Sequence, residues 1–247
     1  MPHLFVNRPR LHNLTKARRD LQSHFRWEMV NAVVYIIGGF LFIVGSIFFS
    51  PRFKTYADLG VWVFFVGSLL YLLVTVHDLA EVHHHWRLSE TNDRDTILEY
   101  AAAASYVWGT ILFTVGSVFF LSAVGWLRVG AGCFVIGSLL FVVGACINVL
   151  QIVPSSSIKI LRLMNLTGIT FIAGAVLFTV STVPYLWTVA AKSDRITLYD
   201  FLAWQYLVGS VLFLLGGAFN YWRAYTVMQH EAFRLVQVPK LDSNVDQ

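Results

Sequence analysis

The sequence has little charge for its length. Asp, Glu, Lys and Arg make up 13% of its 247 residues, while 57% of the residues are hydrophobic and the mean hydropathy is +0.63. A typical soluble domain is about 25% charged and about 45–50% apolar. A chain with half the usual charge lacks the polar surface that keeps a folded domain in water. This composition argues against a soluble enzyme, a disordered chain and a nucleic-acid-binding module, and it predicts an integral membrane protein.

The sequence also lacks a disulfide framework and the common catalytic motifs. Cys133 and Cys146 share one apolar run and lie about 20 Å apart along a helix, too far for a bridge, so we expect two buried, small hydrophobic residues. No nucleophile elbow, phosphate-binding glycine loop, HExxH or CxxCH motif is present, and we therefore expect no enzyme. The first apolar stretch begins near Met29 and is too long for a signal peptide, so the N-terminus is expected to be retained.

Six long apolar windows are present. Uncharged stretches cover residues 29–51, 59–77, 100–127, 129–158, 163–191 and 201–222. Each is close to or above the length of about 20 residues that crosses a bilayer. The sequence predicts an all-α polytopic bundle of six transmembrane helices, with Pro184 ending or kinking the fifth.

Basic residues are distributed unevenly between the two sides of such a bundle. The two termini and the loops after the second and fourth spans hold 13 of the 18 Lys and Arg residues, and the other three loops hold 5. The positive-inside rule then places both termini in the cytoplasm. We accordingly assign the net charge of +4 to membrane topology and expect no nucleic-acid partner.

A short motif recurs along the spans. It has the form G-x3-F-x2-G-S, and an aromatic ring follows four residues after the second glycine. Four copies are complete: Gly38-x3-Phe42-x2-Gly45-Ser46, Gly60-x3-Phe64-x2-Gly67-Ser68, Gly109-x3-Phe113-x2-Gly116-Ser117 and Gly130-x3-Phe134-x2-Gly137-Ser138. Spans five and six carry weaker copies, Phe171-x2-Gly174-Ala175 with Phe178, and Tyr206-x2-Gly209-Ser210 with Phe213.

The glycine spacing predicts helix packing. Glycines seven residues apart lie two turns apart on nearly the same face of a helix. Small residues on one face let a neighbouring helix approach closely, which is how membrane helices associate in lipid. We expect the motif to pack helices, and the alternative is a groove for a lipid or a pigment.

The motif repeats as a pair of helices. Three hairpins are predicted, at residues 27–88, 99–153 and 161–226, between a basic N-terminal segment at 1–26 and a tail at 227–247. The N-terminal segment is either a helix lying on the membrane surface or a loosely ordered tail. Polar residues keep the same register near the cytoplasmic ends: Glu28 and Glu99 precede the motif glycine by seventeen residues, and Asp78, Asn148 and Asn220 follow it by eleven. We expect these side chains to form bonds between hairpins.

A hairpin with FxxGS in each helix resembles the YrhK-like domain, a two-helix membrane module found mainly in bacteria. The first hairpin, from Trp27 to about Trp86, is most similar, and the second matches well. The third departs from the pattern because Ala175 replaces the serine, glycine is missing at positions 167 and 202, and its loop is longer. The resemblance implies a membrane hairpin in the bacterial cytoplasmic membrane, and it implies no activity.

One polar cluster lies at the cytoplasmic end of the second span. On a helical wheel His77, Asp78, Glu81, His84 and His85 share about a third of the circumference. Histidine and carboxylate side chains at such spacings are able to converge on a divalent metal such as Zn²⁺. Two alternatives remain open: a pH-sensing or proton-relay role, and a solvated helix end without a specific function.

Three functions follow from these features. The first is a non-catalytic scaffold or accessory subunit that contacts membrane lipid and either forms a homo-oligomer or binds a membrane-protein partner. The second is a small transporter or channel, although ionisable residues at mid-depth, which such proteins usually carry, are nearly absent. The third is a metal- or pH-responsive sensor that uses the cluster from His77 to His85. No cofactor is predicted apart from this divalent metal.

Overall fold

The computed structural model of the chain describes residues 18–88, 94–151, 157–187 and 191–242. These residues form six long helices: α1 (Arg18–Phe48), α2 (Ala57–Leu88), α3 (Arg94–Phe120), α4 (Leu127–Leu150), α5 (Ile158–Thr182) and α6 (Lys192–Asp242). Short 3₁₀ helices follow α1 and α5, at Pro51–Tyr56 and Val183–Leu186. No β-strand occurs in the described residues.

All six helices are long and apolar enough to cross a membrane. The apolar segments cover Met29–Phe48, Pro51–His84, Arg94–Phe120, Leu127–Leu150, Ile158–Leu186 and Ser193–Gln229. The prediction of an all-helical fold with six helices that are able to span a membrane is confirmed.

Local sequence explains where several helices end. Pro51 is the first residue of the 3₁₀ helix after α1. A proline disfavours the α-helical conformation of the residue before it, and Ser50 is accordingly extended, so α1 ends before it. Pro184 lies in the 3₁₀ helix that replaces α5 after Thr182, so the prediction that this proline ends the fifth span is confirmed. In the short turn between α3 and α4, Gly125 adopts a φ of 66°, a conformation that glycine tolerates best.

Two helices extend beyond the apolar segments. α1 begins at Arg18 and α6 continues to Asp242, so the predicted boundaries at residues 27 and 226 fall inside continuous helices. Residues 1–17, where the rest of the basic N-terminal segment lies, are outside the described residues, as are residues 243–247.

The helices form a closed ring. Each helix packs most extensively on its neighbours in the chain, and α6 packs on α1. Aromatic side chains fill the interior, whereas the outer surface carries large apolar side chains that are more than half exposed, one from each helix being Phe40, Leu73, Trp108, Ile136, Ile169 and Trp204. Such an outer surface suits contact with lipid chains.

Candidate functional site

The motif glycines face one another across each pair of consecutive helices. A Cβ atom on Gly38 would lie 3.2 Å from the carbonyl oxygen of Gly67, and one on Gly45 would lie 3.1 Å from that of Gly60. The Cβ positions of the remaining motif glycines are similarly close to a backbone oxygen or a ring across the interface, at 3.2 Å for Gly60, 3.0 Å for Gly67, 2.9 Å for Gly109 and for Gly137, 2.7 Å for Gly116, 3.0 Å for Gly130, 3.1 Å for Gly174 and 2.9 Å for Gly209. These backbones touch because no side chain separates them.

The motif serines are buried and bonded within their own helices. Each hydroxyl donates to the carbonyl oxygen four residues earlier: Ser46 to Phe42 at 2.7 Å, Ser68 to Phe64 at 3.0 Å, Ser117 to Phe113 at 2.8 Å, Ser138 to Phe134 at 2.6 Å and Ser210 to Tyr206 at 2.8 Å. This bond satisfies a hydroxyl inside an apolar interior. The small side chain then leaves room for the adjacent helix.

The aromatic residues of the motif meet inside the ring. Ring centroids of equivalent pairs are 4.3 Å apart for Phe42 and Phe64, 4.8 Å for Phe113 and Phe134, and 5.2 Å for Phe178 and Tyr206. In a second set of pairs the partner ring lies two turns further along the second helix, at 4.8 Å for Phe42 and Tyr71, 5.5 Å for Phe113 and Phe141, and 5.4 Å for Phe178 and Phe213. The three successive helix pairs therefore make the same ring contacts.

The side chain of Phe178 also reaches across the centre of the helix bundle. The centroid of its aromatic ring lies 6.3 Å from that of Phe42 and 5.9 Å from that of Phe113. A cavity of about 10 Å³ remains at the centre, lined by Phe42, Tyr71, Thr110, Phe113, Phe141, Phe178 and Phe213. A cavity needs about 10–15 Å³ to hold a single water molecule. This part of the interior is filled by side chains.

The structure corrects the alignment of the fifth span. The motif in the sequence aligns Gly174 with Gly45 and Gly116, the second glycines of their copies. In the structure Gly174 instead lies against the Gly209 carbonyl and the Phe213 ring, as Gly38 lies against Gly67 and Tyr71. Gly174 is therefore the first glycine of its copy, and the copy is displaced by seven residues.

With this register the missing elements of the fifth span are found further along the chain. Phe178 takes the place of the motif phenylalanine, Ser181 and Thr182 take the places of the second glycine and the serine, and Tyr185 is the aromatic residue that follows. Tyr185 lies 6.5 Å from Tyr206, as the equivalent Phe120 lies 5.1 Å from Phe134. A heptad pattern is nearly unchanged by a shift of one heptad, which is why the sequence alone allowed the wrong register.

The repeated polar residues of the even-numbered helices are buried. Asp78, Asn148 and Asn220 are at most 3% exposed. The Asn148 amide donates to the Tyr106 hydroxyl at 3.2 Å, and the Asn220 oxygen accepts from Nε of the buried Arg223 at 3.4 Å. Glu99 is half-buried, and the side chain of Glu28 lies outside the described residues.

Two of the polar residues that were predicted to bond between hairpins bond elsewhere. Asn148 bonds within its own helix pair and Asn220 within α6, so for these two residues the prediction was wrong. Hydroxyl pairs make the contacts between pairs instead: Ser46 and Ser210 oxygens lie 3.0 Å apart, and Thr75 and Thr110 oxygens lie 3.3 Å apart. Short hydroxyl side chains span the narrow gap between adjacent helices more easily than amides do.

Three of the five predicted metal ligands come together. His77, Asp78 and Glu81 place one potential ligand atom each within 4.8 Å of one another. Asp78 is buried and the other two are half-buried. His84 is exposed and is not part of this group, and the side chain of His85 lies outside the described residues. The arrangement is able to bind a cation at one end of α2.

Sequence reasoning missed Asn31, whose amide nitrogen lies 3.0 Å from Nδ1 of His77. It also missed the stacked rings of Tyr35 and Tyr71, 3.7 Å apart. Tyr35 and Tyr106 each precede a motif phenylalanine by seven residues, and that spacing is a signal that would have added both to the aromatic interior.

The comparisons with known proteins give one family and no close relative. Residues 25–82 and 96–153 each match the sequence model of the YrhK-like protein family. These matches cover the first two predicted hairpins, and the third, at residues 161–226, lies outside them. No curated protein and no solved structure matches the chain. The chain therefore carries two tandem domains of the YrhK-like family.

Proposed function

We propose that this chain is a non-catalytic scaffold or accessory subunit of the membrane, built from three tandem hairpins. The observation that carries the proposal is the closed ring of helices around an interior of interlocking aromatic rings. Such an interior supplies rigidity and offers neither a reactive group nor a path along the axis. The three sets of equivalent ring contacts support three hairpins.

The motif glycines support packing within the chain. Their neighbours are helices of the same chain, so a partner or a second copy has to contact the outer apolar surface. Gly132, which lies outside the motif, differs from them, because a Cβ atom there would meet nothing within 4 Å. The same close contacts weigh against the motif as a groove for lipid or pigment.

A small transporter or channel is the runner-up function. A conducting protein needs a polar or water-filled path, whereas the central cavity here, at about 10 Å³, is no larger than one water molecule and is lined mainly by aromatic rings. A transport cycle would have to separate the rings around Phe178. The density of aromatic contacts weighs against this function.

The orientation follows from charge. We propose that both termini face the cytoplasm of a bacterium, because 13 of the 18 Lys and Arg residues flank that side and because six spans return the chain to the side where it began.

A metal- or pH-responsive sensor is the third candidate, favoured by the convergence of His77, Asp78 and Glu81. Histidine titrates near neutral pH and also binds divalent metals.

Two measurements on the purified protein test the scaffold proposal. In mild detergent, native mass spectrometry should find a defined homo-oligomer or a stoichiometric complex with a membrane protein that co-purifies. In liposomes, the protein should give no flux of K⁺, protons or small solutes above that of empty vesicles. An inert monomer would contradict the scaffold role, and a flux that Phe178→Trp changes would favour the transporter.

A further inference from the structure

The end of α2 brings an imidazole and two carboxylates to one point. We propose that His77, Asp78 and Glu81 bind one divalent metal cation that accepts both nitrogen and oxygen ligands, such as Zn²⁺ or Mn²⁺. Imidazole nitrogen and carboxylate oxygen are the ligands that these cations accept in proteins. The site stands on its own geometry and does not depend on the scaffold role.

The spacing of the three ligands suits one ion. Residues at i and i+4 share a helix face, and Asp78 lies beside His77 on the buried side of α2. Metal–ligand distances of about 2.0–2.2 Å separate the ligand atoms of one ion by about 3–4.4 Å. The ligand atoms here lie within 4.8 Å of one another, so small side-chain rotations complete the coordination.

Burial strengthens the case for a cation. Asp78 is 3% exposed, and Glu81 is half-buried beside it. Two carboxylate oxygens within 4.8 Å of each other and of an imidazole nitrogen form an anionic donor set of the kind that attracts a divalent cation. The half-buried side chains of His77 and Glu81 leave one side of the site open for entry of the ion.

Asn31 supplies the outer contact that a histidine ligand needs. Its side-chain amide lies 3.0 Å from Nδ1 of His77, and the two ends of an amide are interchangeable by rotation. With the amide oxygen facing the ring, Asn31 accepts a hydrogen bond from Nδ1–H, and Nε2 keeps its lone pair for the metal. Histidine ligands in metalloproteins are usually oriented by such a bond.

The other two helix pairs do not carry the same ligand set. The positions equivalent to His77, Asp78 and Glu81 are Ile147 and Asn148 in α4 with Gln151 directly after it, and Phe219, Asn220 and Arg223 in α6. An aliphatic or aromatic side chain replaces the imidazole, amides replace Asp78, and a guanidinium replaces the second carboxylate in α6. The chain should therefore bind one ion rather than three.

The experiment measures metal binding by the full chain, purified in detergent without a histidine tag and stripped with a chelator. Titration calorimetry and elemental analysis with Zn²⁺ and with Mn²⁺ should find one saturable equivalent in the wild type. His77→Gln and Glu81→Gln should each weaken binding at least tenfold, and Asn31→Ala should weaken it about 10–100-fold because it acts through His77. Thermal unfolding of the stripped variants checks that each is folded.

Matched controls separate this site from adventitious binding. Gln151→Ala changes the equivalent position in α4, and His84→Gln changes an exposed histidine one turn away, so both should bind as the wild type does. The proposal is overturned if the folded wild type binds no stoichiometric metal, or if His84→Gln abolishes binding while Glu81→Gln leaves it intact. Should His77→Gln fail to fold, Glu81→Gln decides the question, since its half-buried side chain tolerates an isosteric change.

Discussion

The ring of Phe178 occupies the space that Gly209 leaves by having no side chain. A Cβ atom at Gly209 would lie 2.9 Å from Cδ2 of Phe178, closer than such atoms approach in folded proteins. Phe42 covers Gly67 in the same way, with its ring 3.0 Å from the Cβ position. A large ring on one helix and a missing side chain on the next thus form a complementary pair in two different hairpins.

Phe178 is the most connected ring of the interior, and its removal should destabilise the protein strongly. Phe178→Ala leaves a cavity among the rings of Phe42, Phe113 and Phe213. The loss of packing should lower the free energy of unfolding by about 2 kcal/mol or more, somewhat less than in water because lipid removes part of the transfer contribution. Thermal unfolding in detergent measures the effect.

Val180 provides the control for that substitution. It lies on the same helix and is 50% exposed, so Val180→Ala should change the melting temperature little. Equal losses in the two variants would show that the interior around Phe178 is not close-packed.

The Tyr206 hydroxyl bonds to the Thr182 hydroxyl at 2.6 Å and joins α5 to α6. Tyr206→Phe removes this bond and keeps the ring. Hydrogen bonds between membrane helices are worth about 0.6 kcal/mol on average, so we expect a loss of about 0.5–1 kcal/mol in a reversible unfolding titration. Tyr221→Phe, on the exposed face of the same helix, should have no effect, and a neutral Tyr206→Phe would argue against the revised register of α5.

Membrane orientation is testable with single cysteines in a background that carries Cys133→Ala and Cys146→Ala. Arg87 and Ser193 are both exposed and lie at opposite ends of the bundle. In intact bacterial cells, Ser193→Cys should react with a membrane-impermeant maleimide, and Arg87→Cys should react only after the membrane is opened. The reverse pattern would place the termini outside.

Much of the fold follows from the sequence. The number of spans is set by apolar runs bounded by charges, and Pro184 correctly predicts the end of α5 because a proline cannot continue the helical hydrogen bonds. The convergence of His77, Asp78 and Glu81 follows from helical spacing alone. These are local properties, fixed within one helix.

Other features depend on contacts between distant segments. The packing of α6 on α1 closes the ring of helices. No local sequence pattern predicts that the first and the last helix of the chain contact each other. The register of α5 was misassigned because Phe171 and Phe178 both satisfy a motif with a period of seven. The sequence does not predict the contact between Asn31 and His77, because that contact depends on the axial position of α1 relative to α2.

The central claim, that the motif glycines let the helices touch, is tested most directly by two alanine substitutions on α4. At Gly137 a Cβ atom would lie 2.9 Å from the backbone oxygen of Gly109, which has no freedom to move aside, whereas at Gly132 nothing lies within 4 Å. We predict that Gly137→Ala lowers the free energy of unfolding by about 1–3 kcal/mol, and that Gly132→Ala leaves it unchanged or raises it slightly, as alanine favours helices over glycine. Equal stability of the two variants in a reversible unfolding measurement would contradict the account.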